Sequence, residues 1–282
     1  MLLTYCERAD AYFERIIVSS RAFALGGAFV ALADDPGATV VNAAGLTQIR
    51  SLSVLSSFDI PYDISDLQEN YLALALPAKF GVLGFSWYRF ALSDVTSEDL
   101  FTFAYGRDYI RTSQDASLSF GASIDVARVA YSSVYTDSKT VVTGSLSVLL
   151  RPFPIIGMGY SIRNLGQPSF DWVLGDGRTV VKTTQTLGVA YYWDRRSVFV
   201  YERARAQDGK WADRVGIEVH AGKELDIRGG LANGDVTGGV GLTVSGIALD
   251  VGVSGHETLG LTYHFSVGFA MPSKKADGLP NG

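Results

Sequence analysis

The sequence predicts an all-β fold: an antiparallel transmembrane β-barrel of about fourteen strands, with a partly helical N-terminal hatch in its lumen. Three observations predict this. Apolar residues alternate with small or polar ones over segments of about 9–11 residues, which is the length of a tilted membrane strand. Tight turns separate many of these segments, and only 19% of the 282 residues are charged.

The composition limits the other classes of protein. The chain is 47% hydrophobic, and its mean hydropathy is +0.16. No run of about 20 apolar residues exists, which excludes a helical multi-span protein; residues 16–33 come nearest, but Arg21 and Gly26-Gly27 interrupt them. The net charge of −5 without a basic stripe argues against nucleic acid as a partner. Cys6 is alone, so no disulfide framework or cysteine metal cluster is expected.

The alternation places the strands and divides the chain into three parts. The barrel comprises residues 50–268, after an N-terminal segment 1–49 and before a loose tail 269–282. Strands are predicted at about 50–58, 68–77, 80–90, 98–108, 115–127, 141–151, 154–164, 183–194, 196–205, 212–221, 224–232, 235–245, 246–254 and 257–268. The face opposite the apolar rows is mostly Gly, Ser and Thr with occasional charges. This suits a narrow lumen better than the charge-rich face of a soluble β-sandwich or solenoid, which is the alternative fold.

The connections carry a second signal. Those at 59–67, 128–140 and 165–182 are long, whereas those at 78–79, 152–153 and 195 are short. Outer-membrane barrels have short periplasmic turns and longer outside loops, so an even number of strands puts both termini on the periplasmic side.

The N-terminal segment differs from the rest. Residues 21–35 are rich in Ala, Leu and Phe with a helix-compatible period, and they end at Asp34-Asp35-Pro36-Gly37. A segment this apolar is unsuited to a free tail, so we expect residues 1–49 to form a hatch inside the barrel.

Several motifs of the hatch resemble one family. They are Ser19-Ser20-Arg21-Ala22, Gly26-Gly27-Ala28-Phe29-Val30-Ala31, Ala33-Asp34-Asp35 and Asn42-Ala43-Ala44-Gly45-Leu46. Together they resemble the N-terminal signature of the FadL-like outer-membrane proteins of the PorV/PorQ type, and Asn164-Leu165-Gly166 is similar to a strand end of that family. Ala43 stands where the family has Pro, and Val41 where it has an aromatic residue.

The resemblance implies a fourteen-stranded barrel with an N-terminal hatch. In the FadL branch it implies uptake of long-chain fatty acids or other hydrophobic molecules, and in the PorV branch a partner role in protein secretion. The last predicted strand also resembles the signal read by the barrel assembly machinery, through Thr258, Gly260, Tyr263 and Phe265. An amphipathic strand can match that pattern by chance.

The polar candidates have structural explanations beside functional ones. One interpretation is that ion pairs between hatch and wall involve Arg21, Asp34 and Asp35. The other is that the two Asp residues merely end a helix. We expect Asn42 to form a hydrogen bond with the backbone of its own turn. Lumen-facing positions are expected for Glu218, His220, Asp226, Arg228, Asp250 and His264. Their spacing matches no metal motif, so paired charges in a polar pore are favoured over a metal or catalytic cluster. We expect no enzyme activity and no cofactor.

The sequence therefore predicts a barrel in the outer membrane of a double-membraned bacterium, surrounded by membrane lipids. Its predicted function is passive uptake of small hydrophobic molecules, such as long-chain fatty acids. Capture in an apolar pocket between hatch and wall would precede release when the hatch shifts. The alternatives are a non-transporting scaffold for secretion-system proteins, with loop 165–182 as binding surface, and a soluble secreted β-domain. Residues 1–8 lack a signal sequence, so we expect the true start upstream or a chain close to the mature form.

Overall fold

The computed structural model of the protein describes residue 13 and residues 16–112, 116–131, 137–171, 178–194, 197–205, 209–232, 234–256 and 260–271. Thr258 of the predicted assembly signal and most of the predicted tail lie outside the described residues. Within these ranges, no helix has the length and apolar character needed to cross a membrane.

The chain forms a closed antiparallel barrel of fourteen strands, and the predicted all-β fold is confirmed. The connection at 165–184 also carries a separate two-stranded sheet, β8 (Ser169–Asp171) with β9 (Arg178–Val180). The barrel strands are β1 (Ser53–Ile60), β2 (Leu67–Ala78), β3 (Gly81–Leu92), β4 (Thr96–Arg111), β5 (Ser117–Tyr131), β6 (Asp137–Phe153), β7 (Ile156–Leu165), β10 (Thr184–Tyr192), β11 (Val198–Arg205), β12 (Trp211–Ala221), β13 (Leu225–Ala232), β14 (Asp235–Val244), β15 (Ile247–His256) and β16 (Gly260–Ala270).

The first and last strands close the barrel. Ser53 of β1 pairs with Ala270 of β16, and Ile60 pairs with Tyr263. We call the end where β1 begins and β16 ends the lower rim, and the opposite end the upper rim. The longest connection, 165–184, lies at the upper rim. Closure removes free sheet edges and is incompatible with the β-sandwich alternative.

One predicted long loop is mostly strand. The expected loop 128–140 belongs largely to β5 and β6, which are 15 and 17 residues long. Their ladder continues through the pair Arg128 and Thr140. The reason is that Ala127 and Val129 still point inward and pack in the buried core, so the two strands extend together beyond the predicted boundary.

The outer face is apolar on all sides. Large side chains remain exposed on well-separated strands, among them Phe103 (56%), Ile124 (59%), Leu187 (56%) and Leu249 (49%). Inward positions of the same strands carry small or polar residues such as Thr102 and Ser123. An apolar band of this extent on a closed barrel is typical of contact with lipid.

The described part of the hatch lies inside the barrel. It contains α1 (Ser20–Ala24), α2 (Ala38–Val41) and a 3₁₀-helix (Ala43–Gln48). The first helix contacts β13 to β16, whereas the 3₁₀-helix contacts β3 to β6 on another part of the wall. The segment therefore extends across the lumen before the chain enters β1.

The helix-compatible run 21–35 forms only one short helix, which differs from the sequence expectation. Ser19 caps it, because its hydroxyl accepts a hydrogen bond from the Ala22 amide at 3.1 Å. Gly26 (φ +69°) and Gly27 (φ +80°) then adopt left-handed conformations that end the helix.

Glycines of the barrel wall make room for the hatch backbone. A Cβ at Gly121 would lie 2.1 Å from the Ala44 nitrogen, and one at Gly159 would lie 2.1 Å from the Val30 carbonyl oxygen. These distances are far below van der Waals contact, so only glycine lets the hatch lie directly on these strands.

Candidate functional site

An arginine of the hatch connects it to the wall. Arg21 lies in α1, and its Nε donates to Glu218 Oε2 of β12 at 2.8 Å. Its Nη1 donates to Asp34 Oδ1 at 2.6 Å, so the same guanidinium also joins the start of the hatch to its middle. The Arg21 and Glu218 side chains are 19% and 6% exposed. Both charges are therefore largely removed from water, and the pair holds α1 against β12.

The wall continues this network. Arg228 of β13 donates from Nε to Glu218 Oε2 at 2.6 Å and from Nη1 to Asp250 Oδ1 at 2.5 Å. It also approaches Asp226, which contacts the His220 ring. We call the group formed by Arg21, Asp34, Glu218, His220, Asp226, Arg228 and Asp250 the charge network.

Strand register explains why these residues meet. Glu218 pairs directly with Arg228 on β12 and β13. Arg228 then reaches across β14 to Asp250 of β15, because the intervening position is Gly241. A Cβ there would lie 2.5 Å from Arg228 Nη1 and 2.3 Å from Asp250 Oδ1. The alternation of side chains along each strand predicted that these residues point into the lumen. The register between strands then brings them into contact.

The two adjacent aspartates of the hatch do different things. Asp34 pairs with Arg21, whereas Asp35 Oδ1 accepts a hydrogen bond from the Gly37 amide at 2.7 Å and holds the turn. Burial raises the pKa of Asp35 to about 7, although the positive charge of Arg21 opposes the shift. The ion pair between hatch and wall is thus formed by Arg21 and Glu218, and Asp34 joins it from within the hatch. Neither aspartate ends a helix, because α1 already ends at Ala24.

The other hatch residues singled out by the sequence hold its backbone in place. Asn42 donates from Nδ2 to the Val30 carbonyl at 2.8 Å and accepts from the Ala44 amide at 3.1 Å. A Cβ at Gly45 would lie 2.2 Å from the Ala33 carbonyl oxygen. Phe29 and Leu46 are fully buried.

A glutamate that we did not predict anchors the centre of the hatch. Glu202 of β11 accepts hydrogen bonds from the Phe29 and Val30 amides, both at 2.9 Å. Arg214 of β12 donates to its other oxygen at 2.7 Å. The signal for Glu202 was its place in the inward row Val198, Val200, Glu202; it was missed because both faces of this segment carry aromatics, valines or charges.

His264 lies apart from the charge network. It pairs across β1 and β16 with Asp59, and the two side chains are in contact. The Phe23 ring of α1 packs on the imidazole with centroids 3.7 Å apart. Asp59 was also missed, although it follows Leu55 and Ser57 on the inward face of β1. This group joins α1 to the wall near the upper rim.

Two cavities lie on either side of α1. The lower vestibule has a volume of about 600 Å³ and is lined by Ser19, Arg21 and much of the charge network, next to the lower rim. The upper cavity has a volume of about 340 Å³. Its lining is Phe13, Ile17, Phe23, Pro61, Tyr62, Leu67, Glu69, Tyr88, Phe90, Glu98, Asp235, Ser254, Thr262 and His264. The expected pocket between hatch and wall is thus mainly aromatic and apolar, but it also contains carboxylates.

A third concavity, of about 930 Å³, lies on the outer wall among Tyr105, Phe120, Leu146 and Tyr160. It faces the lipid side, since these side chains are on the exposed rows of β4 to β7. Within the described ranges, no group of three or more His, Cys, Asp or Glu residues is placed to hold a metal ion.

Comparisons with known proteins agree with this geometry. No protein-family model and no curated protein sequence matches the chain. Solved structures match over nearly its whole length: the CymD monoaromatic hydrocarbon channel has a TM-score of 0.69 at 12% identity and covers 93% of this chain and 99% of its own. The chain has the FadL-type fold. A Pseudomonas aeruginosa FadL homologue gives a TM-score of 0.68 at 10% identity over 93% and 100% of the two chains. The Ralstonia pickettii toluene transporter TbuX gives 0.65 at 13% identity over 91% and 98%.

In the FadL-type fold of this chain, the route along the lumen is interrupted by the hatch. Phe23 lines the upper cavity and Arg21 lines the lower vestibule, so α1 lies between the two. Arg21 holds α1 on the wall through Glu218, and Glu202 holds the hatch backbone at Phe29 and Val30. Asn42 adds a hydrogen bond from Nδ2 to the wall carbonyl of Val148 at 3.3 Å.

Proposed function

We propose that the protein lets small hydrophobic molecules cross the outer membrane passively, without changing them chemically. The observation that carries this proposal is the placement of α1 in a closed barrel, between an upper cavity that contains several aromatic side chains and a lower vestibule that contains much of the charge network. Solved proteins of the same fold are described as a monoaromatic hydrocarbon channel and a toluene transporter, which supports it.

The mechanism requires the hatch to move. A ligand in the upper cavity contacts Phe23, and displacing Phe23 moves α1 away from β14 to β16. Transport is passive, so the ligand moves down its concentration gradient and the hatch returns by reforming its contacts with Glu218 and Glu202.

The proposal places lipid around the barrel and implies the barrel assembly machinery as a partner during biogenesis. Tyr263 and Phe265 of the assembly signal point outward on β16, and Gly260 (φ +93°) begins that strand. The finer PorV/PorQ assignment and its scaffold role rest on the resemblance of residues 19–46 alone. Pull-down of secreted or translocon proteins by the purified barrel would favour that role.

The test uses purified protein in liposomes. We expect uptake of a small aromatic hydrocarbon well above that of empty liposomes, together with low ion conductance because the hatch fills the lumen. Large porin-like currents, or uptake no faster than in empty liposomes, would contradict the proposal.

A disulfide across the hatch sharpens the test. The Ser20 amide lies 3.2 Å from Ser266 Oγ, so the two residues are neighbours on α1 and β16. Ser20→Cys with Ser266→Cys places two thiols there, and their disulfide, verified by the loss of free thiol, ties α1 to β16. Thr47 Oγ1 lies 3.0 Å from Ser119 Oγ, so Thr47→Cys with Ser119→Cys ties the hatch where it already joins the barrel. In a Cys6→Ser background, the first disulfide should block uptake until it is reduced, whereas the second should leave uptake unchanged.

A further inference from the structure

The upper cavity combines an aromatic surface with acidic groups. Phe13, Phe23, Tyr88 and Phe90 supply rings to its lining. Its volume of about 340 Å³ lies at the lower end of the range for small-molecule pockets, about 300–1,000 Å³. These features suit a compact ligand with one ring or a short alkyl chain.

The charge of this lining has one sign. Glu69, Glu98 and Asp235 contribute carboxyl groups, whereas its described residues include no Lys or Arg. His264 also lines the cavity, but its ring contacts the carboxylate of Asp59. The lower vestibule is different, because Arg21 and Arg228 balance its acids.

The acidic groups are held in position. Glu98 Oε2 accepts a hydrogen bond from the Phe13 amide at 3.1 Å, which attaches the start of the hatch to β4. Glu69 of β2 is hydrogen-bonded to the Tyr88 side chain of β3. A carboxylate has several lone pairs, so each of these groups retains capacity to accept from a ligand.

We propose that the upper cavity selects small aromatic or alkyl molecules that carry a protonated amine and disfavours those that carry a carboxylate. This rests on the proposed function and names its substrate class. An ammonium would donate to Glu98 or Glu69 while the Phe23 and Tyr88 rings cover the rest of the ligand. A carboxylate of the same size would lose its water next to groups of like charge.

The experiment measures binding of three matched probes to purified protein in detergent by calorimetry at pH 7. The probes are 2-phenylethylamine, 2-phenylethanol and phenylacetate. We expect the amine to bind about tenfold or more tightly than the alcohol, the size of effect that one charge-assisted hydrogen bond gives, and phenylacetate to bind most weakly. Glu98→Gln should reduce amine affinity about tenfold and leave alcohol affinity nearly unchanged.

Two further variants make the result decisive. Glu98→Gln also alters the hydrogen bond to the Phe13 amide and could thereby disturb the hatch. Glu69→Gln removes a carboxylate of the same cavity and leaves that hydrogen bond in place. Glu224→Gln, at the exposed turn on the lower rim, removes the same charge outside the cavity and should change nothing. A loss of amine preference in Glu224→Gln would point to net charge and overturn the inference.

The outcomes separate this inference from the proposed function. Equal binding of amine and carboxylate, with the alcohol bound and transported, overturns the charge selectivity alone. If none of the three probes binds and no aromatic hydrocarbon enters liposomes, both the selectivity and the transport function are wrong.

Discussion

Replacing Arg21 by Met should release the hatch from the wall. The substitution removes the two hydrogen bonds to Glu218, at 2.8 and 2.9 Å, and the two to Asp34, at 2.6 and 3.4 Å. A hydrogen bond to a charged group contributes about 1.5–3 kcal/mol, and a partly exposed ion pair less than about 1 kcal/mol. Glu218 keeps Arg228 as its partner. We therefore expect a loss of about 3 kcal/mol in the free energy that holds α1 against the wall, or a factor of roughly one hundred in its displaced population.

Amide hydrogen exchange measures that population directly. Amides of α1 should exchange about one hundred times faster in Arg21→Met, while amides of the barrel strands keep their protection. Arg89→Met is the matched control, because Arg89 forms an ion pair with Asp99 on the wall. Unchanged exchange of α1 in Arg21→Met, or an equal increase in the control, would refute the role assigned to Arg21.

Three other predictions concern different parts of the molecule. Gly121→Val should displace the 3₁₀-helix and raise ion conductance, because its Cβ would lie 2.1 Å from the Ala44 nitrogen; Gly144→Ala, with its nearest neighbour at 3.4 Å, should leave conductance unchanged. The raised pKa of Asp35, about 7 against 3.8, means that the folded state binds the proton more tightly than the unfolded one. Its contribution to the free energy of unfolding should fall as pH rises from about 4 to 7 and level off above, and Asp35→Asn should remove that slope in pH-dependent denaturation. Leu249→Cys should resist water-soluble maleimides in intact cells, because Leu249 belongs to the lipid-facing row; fast labelling would contradict the membrane assignment.

Most of the fold follows from alternation. In β15 the apolar row Ile247, Leu249, Val251, Val253 alternates with Ala248, Asp250, Gly252 and Ser254. One side of the strand thus suits lipid and the other a narrow lumen. Such a row is visible in one strand at a time and needs no knowledge of its neighbours. That is why the strand number, the outer face and most strand positions were predictable, whereas the facing ends of β5 and β6 were not.

The contacts of the site were harder to predict from the sequence. Glu202 and Asp59 lie on inward rows, but their functions depend on which part of the hatch lies opposite. The short helix α1 depends on Gly26 and Gly27 turning the chain, and the run of Ala, Leu and Phe around them resembles a longer helix. The upper cavity contains residues from the hatch, β2 to β4 and β14 to β16, so no local pattern describes it.

The sequence by itself determined the barrel, its lipid-facing surface and the presence of an apolar segment before it, because each depends on periodicity and composition along one stretch of chain. Only the tertiary structure decided that Arg21 meets Glu218, that Glu202 holds the Phe29 and Val30 amides, and that carboxylates line the cavity above α1. The physical reason is that ion pairs and cavities depend on distances between strands far apart in sequence. Closure of the sheet and the path of the hatch set those distances.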